Sequence, residues 1–600
     1  RAARASPSRR WRTDDHEGMV AMLIRALSAR QRLADVRSMA DQGVDVLVIG
    51  GGITGAGVAL DAALRGYRVG LLEKRDFASG TSGWSTKLVH GGIRYLPEGD
   101  IALVREALIE RGRLLANAPH LVHPLEFVLP LYAASRHPVG LPIAPPGGVG
   151  LNAILDAGLT LYDALAGRHN VARHRRIDRA EIERRAPCLL PTGLRSGFTY
   201  ADAQTDDTRL TLAVLRTAAD AGALVANYAA VVGFDRGSTG RVTAAHVRLG
   251  APGDPATGRD LVIAARHIVN ATGIFAEQVE ALTGEVPQLD IEPSKGVHLV
   301  VRREALTMGA DAVVLPETSD RRIIFVVPWR SRVIIGTTDT GSGDLDRPRA
   351  DATDVDFLLG HLNRSIRRPL ARAEILGTYA GYRPLLRLRH SRSPARLSRS
   401  HAVVEGSSGL ISVSGGKLTT YRVMARDAVD RIDARVGGRR LCRTADWPLA
   451  GAVGWPAARP ALAARGAELG LDEATLAHLG ASLGTLANEV LDLVAANPAL
   501  GARLDPELPA IVAEAVYAGQ NELALTVEDV LERRLRLGIE AADHGIGAAA
   551  VVADILSAQL GWSASEGANQ ISDYAAHAAL HDAGGVGRDA LPQAPVTASE

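Results

Sequence analysis

Residues 44–73 read VDVLVIGGGITGAGVALDAALRGYRVGLLE. The opening run, Val44-Asp45-Val46-Leu47-Val48-Ile49, is apolar and β-branched, as a strand buried on both faces of a parallel sheet requires. Gly50, Gly51, Gly52 and Gly55 follow, with Ile53 and Thr54 between them. Residues 56–65 are rich in Ala and Leu and predict a helix, which Gly66 closes. Residues 68–72 predict a second strand, ending at Glu73. Together they form a βαβ unit of about thirty residues. Gly50 permits the tight turn, Gly52 lets backbone approach a pyrophosphate, and Gly55 lets the helix pack close to the sheet. The helix N-terminus offers free N–H groups and a positive dipole end to phosphates. Glu73 can accept hydrogen bonds from ribose hydroxyls and would repel a 2′-phosphate, which argues against NADP.

Three distant segments extend this dinucleotide site. Residues 85–92 are small, polar and glycine-rich, and bring Thr86, Lys87, His90, Gly91 and Gly92. Residues 268–273 run as a strand into Ala271, Thr272 and Gly273. Residues 413–420 repeat the pattern with Gly415, Gly416, Lys417, Leu418 and Thr419. With Lys74 beside Glu73, these segments suit one long cofactor wrapped by the chain, and that cofactor is FAD. No second GxGxxG opens a complete βαβ unit. Electrons should therefore come from a substrate bound directly at the flavin.

A chain of 600 residues is too long for one core, so two or three domains are expected. The fold class is mixed α/β: a Rossmann-like FAD-binding domain, an antiparallel-sheet substrate domain and a C-terminal helical domain. Strand candidates lie at 224–232, 241–249, 261–269, 297–301, 323–327 and 333–335, and Gly/Ser turns between them predict the antiparallel sheet. The boundaries are a disordered or extraneous leader at 1–43, the FAD-dependent oxidoreductase region at 44–440, the helical domain at 441–562 and a flexible tail at 563–600. Residues 138–150 predict a loop, and 168–185 a solvated basic helix face. The net charge of +1 gives no field that would attract nucleic acid. Cys188 and Cys442, the two cysteines, stand outside any metal spacing and fit a reducing compartment. No segment reads as a transmembrane helix; the nearest, 545–562, is short and carries Asp554.

Several motifs together resemble the FAD-dependent, aerobic-type glycerol-3-phosphate dehydrogenases, flavoproteins built like D-amino-acid oxidase. They are the glycine fingerprint, STKLVHGGIRYL (85–96), YADAQTDDTRL (200–210), SKGVHLV (294–300), RIIFVVPW (322–329), GTTD (336–339), YAGYRPL (379–385), GGKLTTYR (415–422) and TVEDVLERRLR (526–536). The resemblance implies oxidation of sn-glycerol 3-phosphate to dihydroxyacetone phosphate, with hydride transfer to FAD and electrons passed to a quinone. It implies Arg94, Tyr95, Arg383 and Lys417 as phosphate and substrate contacts; Arg322 and Thr338 are further candidates to line the substrate pocket. It further implies peripheral contact with the inner face of the cell membrane, a cytoplasmic location and a homodimer.

The chemistry agrees with these residue types. A phosphomonoester needs cations, and the planar fork of arginine matches its oxygens. A secondary alcohol must also lose its hydroxyl proton to a base. His298, on a strand, can accept one near neutral pH. Lys417 could instead tune the charge of reduced flavin. His90 is placed to orient the cofactor. Asp206 and Asp207 read as caps at the start of a helix. Two alternatives stay open: a glycerol-3-phosphate oxidase that uses oxygen, and a flavin-holding protein without turnover.

Overall fold

The computed structural model describes residues 26–133, 149–253, 256–315, 323–341, 343–387, 400–438 and 440–582. Val44–Ile49 lies at the centre of the first sheet. The strand order there is His401–Glu405, Ile411–Gly415, Asp260–Asn270, Val44–Ile49, Val69–Leu72, Leu224–Ala226. Pairing is parallel from Ile411–Gly415 across to Leu224–Ala226. Alternate side chains go to opposite faces. Val46 and Val48 join the core made with helices Ile53–Leu64, Asp207–Asp220 and Tyr421–Val436. Leu47 and Ile49 join the opposite core, which includes Val36 and Met39.

Val36 and Met39 belong to the helix Ala29–Gln42, which corrects the expectation of a leader up to residue 43. Ser28 caps it by accepting the N–H of Gln31. Its polar residues are satisfied at the end of the sheet. Arg32 Nε donates to Asn227 O at 2.7 Å, and Asp35 accepts the N–H of Val225 at 3.0 Å. Local polarity hid the helix, because those charges find their partners only through the fold.

The strand group at 224–269 also departs from expectation. It extends the first sheet instead of building the second. Ala229–Arg236 and Val242–Leu249 form an antiparallel meander on the first half of Asp260–Asn270. The second half of that strand runs parallel to Val44–Ile49. One long strand therefore serves two pairings.

The second sheet is ordered Ile375–Leu386, Ile291–Arg302, Arg332–Gly336, Phe325–Trp329, Ala312–Val314, His123–Tyr132, Leu194–Gln204, Leu88–Val89, with Arg175–Asp178 also on Leu194–Gln204. It is antiparallel except where Ala312–Val314 meets His123–Tyr132. Residues 168–185 are not one solvated helix face. They form the strand Arg175–Asp178 and the short helix Arg179–Arg185, because Ile177 and Ile182 are buried anchors. Of the loop expected at 138–150, residues 138–148 lie outside the described residues.

The C-terminal part is helical from Trp455–Glu468 onward. Its stretch Glu473–Ala496 is long and apolar enough to cross a membrane by length and composition. A 3-10 turn at Gly484–Leu486 interrupts it, and Leu479, Leu483, Val490, Leu491 and Val494 pack against Trp455 and Tyr517. The expected flexible tail from 563 begins instead with the helix Ala564–Ala578. Ser563 and Glu566 form a capping box, while Gly567, Gln570, Tyr574 and Ala578 fall on one buried face at helical spacing. A composition of Ala, Ser and Gly concealed that stripe.

Charge joins this part to the first sheet. Asp529–Arg534, a π-helical segment, sends Arg533 to Asp76 at 2.6 Å, and Arg534 pairs with the same carboxylate. Arg536 reaches Asp207 at 3.2 Å and Thr208 Oγ1 at 2.9 Å.

Candidate active site

A cleft of ≈ 360 Å³ runs from Glu73 and Lys74 to Lys417 and Leu418, past Ile53, Thr54, Ala271, Thr272 and Gly273. Gly50 makes its floor possible. Its φ is +110°, and a Cβ there would stand 2.6 Å from Ala271 O. At Gly55 a Cβ would overlap the carbonyl oxygen of Gly50, so glycine sets the helix-to-strand distance. Gly52 is the N-cap of Ile53–Leu64 and brings no side chain to the helix end. Glu73 is held rigidly: Gly51 N–H donates to Oε2 at 2.7 Å and Arg75 N–H to Oε1 at 2.9 Å. Burial raises its carboxyl pKa, and those two N–H groups oppose the rise. Lys74 Nζ sits 3.6 Å from the Phe275 ring centroid and 3.3 Å from Asp346. Thr272 Oγ1 donates to Asn270 Oδ1 at 2.7 Å. This glycine cradle, with a fixed carboxylate at one end and room toward Lys417 at the other, fits FAD.

At the far end, Gly415 and Gly416 have φ of +80° and +69° and carry the chain into Lys417. The ammonium of Lys417 lies 3.9 Å from the Tyr95 ring centroid. It is shut off from solvent and has no hydrogen-bond partner among the described residues. Burial and the neighbouring Arg94 push its pKa down to about 7. Arg94 Nη2 donates to Tyr95 OH at 2.8 Å, its guanidinium 4.9 Å from the same ring. A Cβ at Gly92 would stand 2.6 Å from the Tyr95 ring and 3.2 Å from Lys417 Nζ. Arg383 pairs across from Ser294. Its Nη2 donates to Thr337 Oγ1 at 2.9 Å and Thr338 O at 3.2 Å, while Asp339 stands 3.6 Å from Nη1. A Cβ at Gly296 would overlap this guanidinium. Arg383 is near enough to favour ionisation of the Tyr95 phenol, although burial raises that pKa overall. The fold therefore gathers Arg94, Tyr95, Arg383 and Lys417.

His298 is placed between Tyr379 and Gly336 by the strand register. Its ring stacks on Tyr379 at 4.6 Å and 15°. A Cβ at Gly336 would overlap the imidazole. Nε2 lies 2.9 Å from Thr86 Oγ1, and Nδ1 has no hydrogen-bond partner among the described residues. Burial, then Arg383 and Lys87, hold its pKa well below the ordinary histidine value, so the ring is neutral.

Other expected residues stand elsewhere. Lys87 is wholly buried, donating to Asp207 Oδ1 and Gly83 O, each at 2.7 Å. It stabilises the fold and does not line the cleft. Burial and Arg536 lower its pKa to about 8. Gly91 donates its N–H to Asp202 at 3.0 Å, and a Cβ there would overlap Leu108 and Tyr162. It is a packing glycine. Thr86 meets His298. His90 donates its N–H to Thr419 Oγ1 at 3.2 Å, which ties the second sheet to the 415–420 turn. Burial and Lys417 lower the His90 pKa to about 3. The Thr338 hydroxyl accepts the Val297 N–H at 3.0 Å and is buried, so it is consumed by the fold. Arg322 lies outside the described residues. Asp206 does cap a helix, accepting from Thr208 and Arg209. Sequence reasoning gave no role to Ser82, whose Oγ accepts the Ile53 N–H at 2.9 Å, or to Trp84. The small polar run at 79–85 was the available signal for both.

A cradle for a dinucleotide, and at its far end a cation cluster drawn from Arg94, Lys417 after the first-sheet strand Ile411–Gly415 and Arg383 on the second sheet, define a flavin-dependent oxidoreductase. Residues 45–422 match the family described as FAD dependent oxidoreductase, and residues 442–567 match the C-terminal domain of alpha-glycerophosphate oxidase. Glycerol-3-phosphate dehydrogenase 2 of Mycobacterium tuberculosis is 39% identical over 557 residues, covering 92% of this chain and 91% of that one. Glycerol-3-phosphate dehydrogenase of Synechocystis is 35% identical over 550 residues, covering 88% and 95%. The solved glycerol-3-phosphate dehydrogenase of Bacillus halodurans, complexed with FAD, superposes with a TM-score of 0.74 at 28% identity, covering 92% and 98%. The chain belongs to the FAD-dependent glycerol-3-phosphate dehydrogenase family, and its cofactor is FAD.

Proposed function

We propose that this chain oxidises sn-glycerol 3-phosphate to dihydroxyacetone phosphate and passes the electrons to a quinone. The observation that carries this reading is the Lys417 ammonium, enclosed yet without a hydrogen-bond partner among the described residues, next to Arg94 and near Arg383. Such a cluster asks for a multiply charged anion. A phosphomonoester, with a second pKa near about 6, supplies up to two charges and three acceptor oxygens. The names of the relatives support the same substrate.

The arginines hold the phosphate and orient the carbinol carbon toward the cofactor. Bound FAD supplies the acceptor for the hydride from C2. His298 is the group placed to take the hydroxyl proton, and the substrate's phosphate, by offsetting the Arg383 charge, would restore part of the basicity that burial and that charge remove. If its Nε2 donates to Thr86, Nδ1 is left as the acceptor. The alcohol thus loses one proton to the imidazole and two electrons with the hydride. Quinone reduction to quinol then removes those electrons. His298→Asn keeps the strand but weakens the base, so flavin reduction should slow by about 10²-fold or more; an unchanged stopped-flow rate removes His298 from this role.

Anaerobic addition of glycerol 3-phosphate should bleach the yellow flavin, and a soluble quinone should restore it. No bleaching would overturn the substrate assignment. Rapid recovery with oxygen and stoichiometric peroxide would make the protein an oxidase. Location at the inner face of the membrane, by peripheral attachment, and a homodimeric state belong to the same reading. Release from membranes by salt or mild detergent, and the mass in solution, test them.

A further inference from the structure

Beside the cofactor cleft, across Trp84, Glu528 and Glu532 face His577 and His581. Glu532 lies in the π-helical segment Asp529–Arg534, and His581 in the 3-10 turn Ala579–His581 that follows the helix carrying His577. His581 Nε2 lies 2.9 Å from Glu532 Oε2, and His577 Nε2 lies 3.5 Å from the same oxygen. One atom from each of the three residues falls within 4.8 Å of the others. Tetrahedral ligands at about 2.05 Å from zinc stand roughly 3.3 Å apart, close to the 3.5 Å between His577 Nε2 and Glu532 Oε2, while the 2.9 Å contact of His581 is a hydrogen bond that an entering ion would open and replace.

The outward nitrogens are also fixed. His581 Nδ1 donates to Thr378 O at 2.9 Å, and His577 Nδ1 lies 3.5 Å from Glu528 Oε2. Metal-binding imidazoles are oriented in this way, by a carbonyl or carboxylate on the far N–H. Glu532 is wholly buried, yet its Oε1 has no hydrogen-bond partner among the described residues. The same holds for His577 Nε2. A Cβ at Gly538 would overlap Glu532 Oε2, so that glycine makes room for the carboxylate. Leaving such buried atoms unpaired is costly, and a cation held by the two imidazoles and by both oxygens of the Glu532 carboxylate would satisfy Oε1 and His577 Nε2 together.

We propose that Glu532, His577 and His581 form a binding site for one divalent transition-metal ion. Two imidazoles and a carboxylate suit zinc first. A further coordination position can open toward the ≈ 460 Å³ cleft that His577 and His581 line. The ion would tie the last helix to the segment that carries Arg533, and through Thr378 to the strand Ile375–Leu386. Its role is to brace the joint between the helical part and the second sheet.

The test uses the full FAD-loaded chain, stripped with chelator, dialysed against zinc and freed of excess. Metal counting should find one zinc per chain, and cobalt in its place should give the visible bands of a tetrahedral site. His577→Ala, at a partly exposed position, should lose the metal while keeping its flavin spectrum and helix content. Zinc should raise the melting midpoint of the parent and leave that of His577→Ala where it was. Parent protein without bound zinc overturns the site. So does zinc retained in full by both His577→Ala and Glu532→Gln, which would place it on other surface histidines.

Discussion

Two sets of cations, one buried and one partly exposed, serve this molecule in opposite ways. At the joint, Arg533 is paired with Asp76, Glu528 and Asp529, each at 2.6 Å. Arg536 meets Asp207. At the catalytic end, Arg94 bonds a phenol, Arg383 bonds a hydroxyl and a carbonyl, and Lys417 faces an aromatic ring. The pKa directions follow. Neighbouring carboxylates push Arg533 up against the cost of burial, while burial and Arg94 push Lys417 down. The lesson is that a cation's task can be read from its counter-charge. Where the chain supplies one, the cation joins elements. Where the chain supplies only an aromatic ring, as it does for Lys417, the cation is left to meet a ligand, at some cost in stability.

Substitution can break this contrast. The largest effect is expected at the joint. Arg533→Ala leaves Glu528 and Asp529 without their shared cation and Asp76 with Arg534 alone, and removing one partner of a buried pair costs about 3–5 kcal/mol. The chemical-denaturation midpoint should drop sharply; a midpoint within error of the parent would refute the joint's importance. Next comes Arg383→Ala. It should lower kcat/KM for glycerol 3-phosphate by about 10²-fold or more, since each charge-assisted bond is worth about 1.5–3 kcal/mol. Its FAD content and melting point should stay near the parent's. A loss of stability with normal turnover would exchange the roles of the two sets.

Lys417 sharpens the contrast through pH. Its pKa is lowered to about 7, so the free enzyme is charged there below that pH and neutral above it. kcat/KM should therefore fall as pH rises through about 7, by at most about tenfold per unit. Lys417→Arg keeps its charge at every accessible pH, and this limb should vanish from its profile. A limb that persists unchanged assigns the titration to another group. The smallest effect belongs to the exposed pair Arg248 and Asp260, 2.9 Å apart. Arg248→Ala should change neither melting point nor turnover beyond error, since such pairs are screened by water.

The glycine cradle was legible because its demands are local. A positive φ at Gly50 and a helix start at Ile53 are written in six neighbouring residues. The cations Arg94, Arg383 and Lys417 were legible only through motif resemblance, since arginine and lysine are common on any surface. Lys87 shows the limit. Its neighbours in the chain suggest a cofactor turn, but Asp207, 120 residues away, claims its ammonium. The helix Ala29–Gln42 was hidden for the same reason, as Arg32 and Asp35 are satisfied by backbone near residues 225–228. The arginines of 526–536 were visible as a motif, but the carboxylates that receive them were not.

That joint also bears on how the protein is made. Asp76 is synthesised long before Arg533 and Arg534, the cations that receive its carboxylate. Until then the nascent first sheet must carry a carboxylate that it cannot bury cheaply. Completion of the cofactor domain thus waits until residues 533 and 534 have emerged. A chain cut near residue 440 should be a client of chaperones and proteases, not a smaller enzyme.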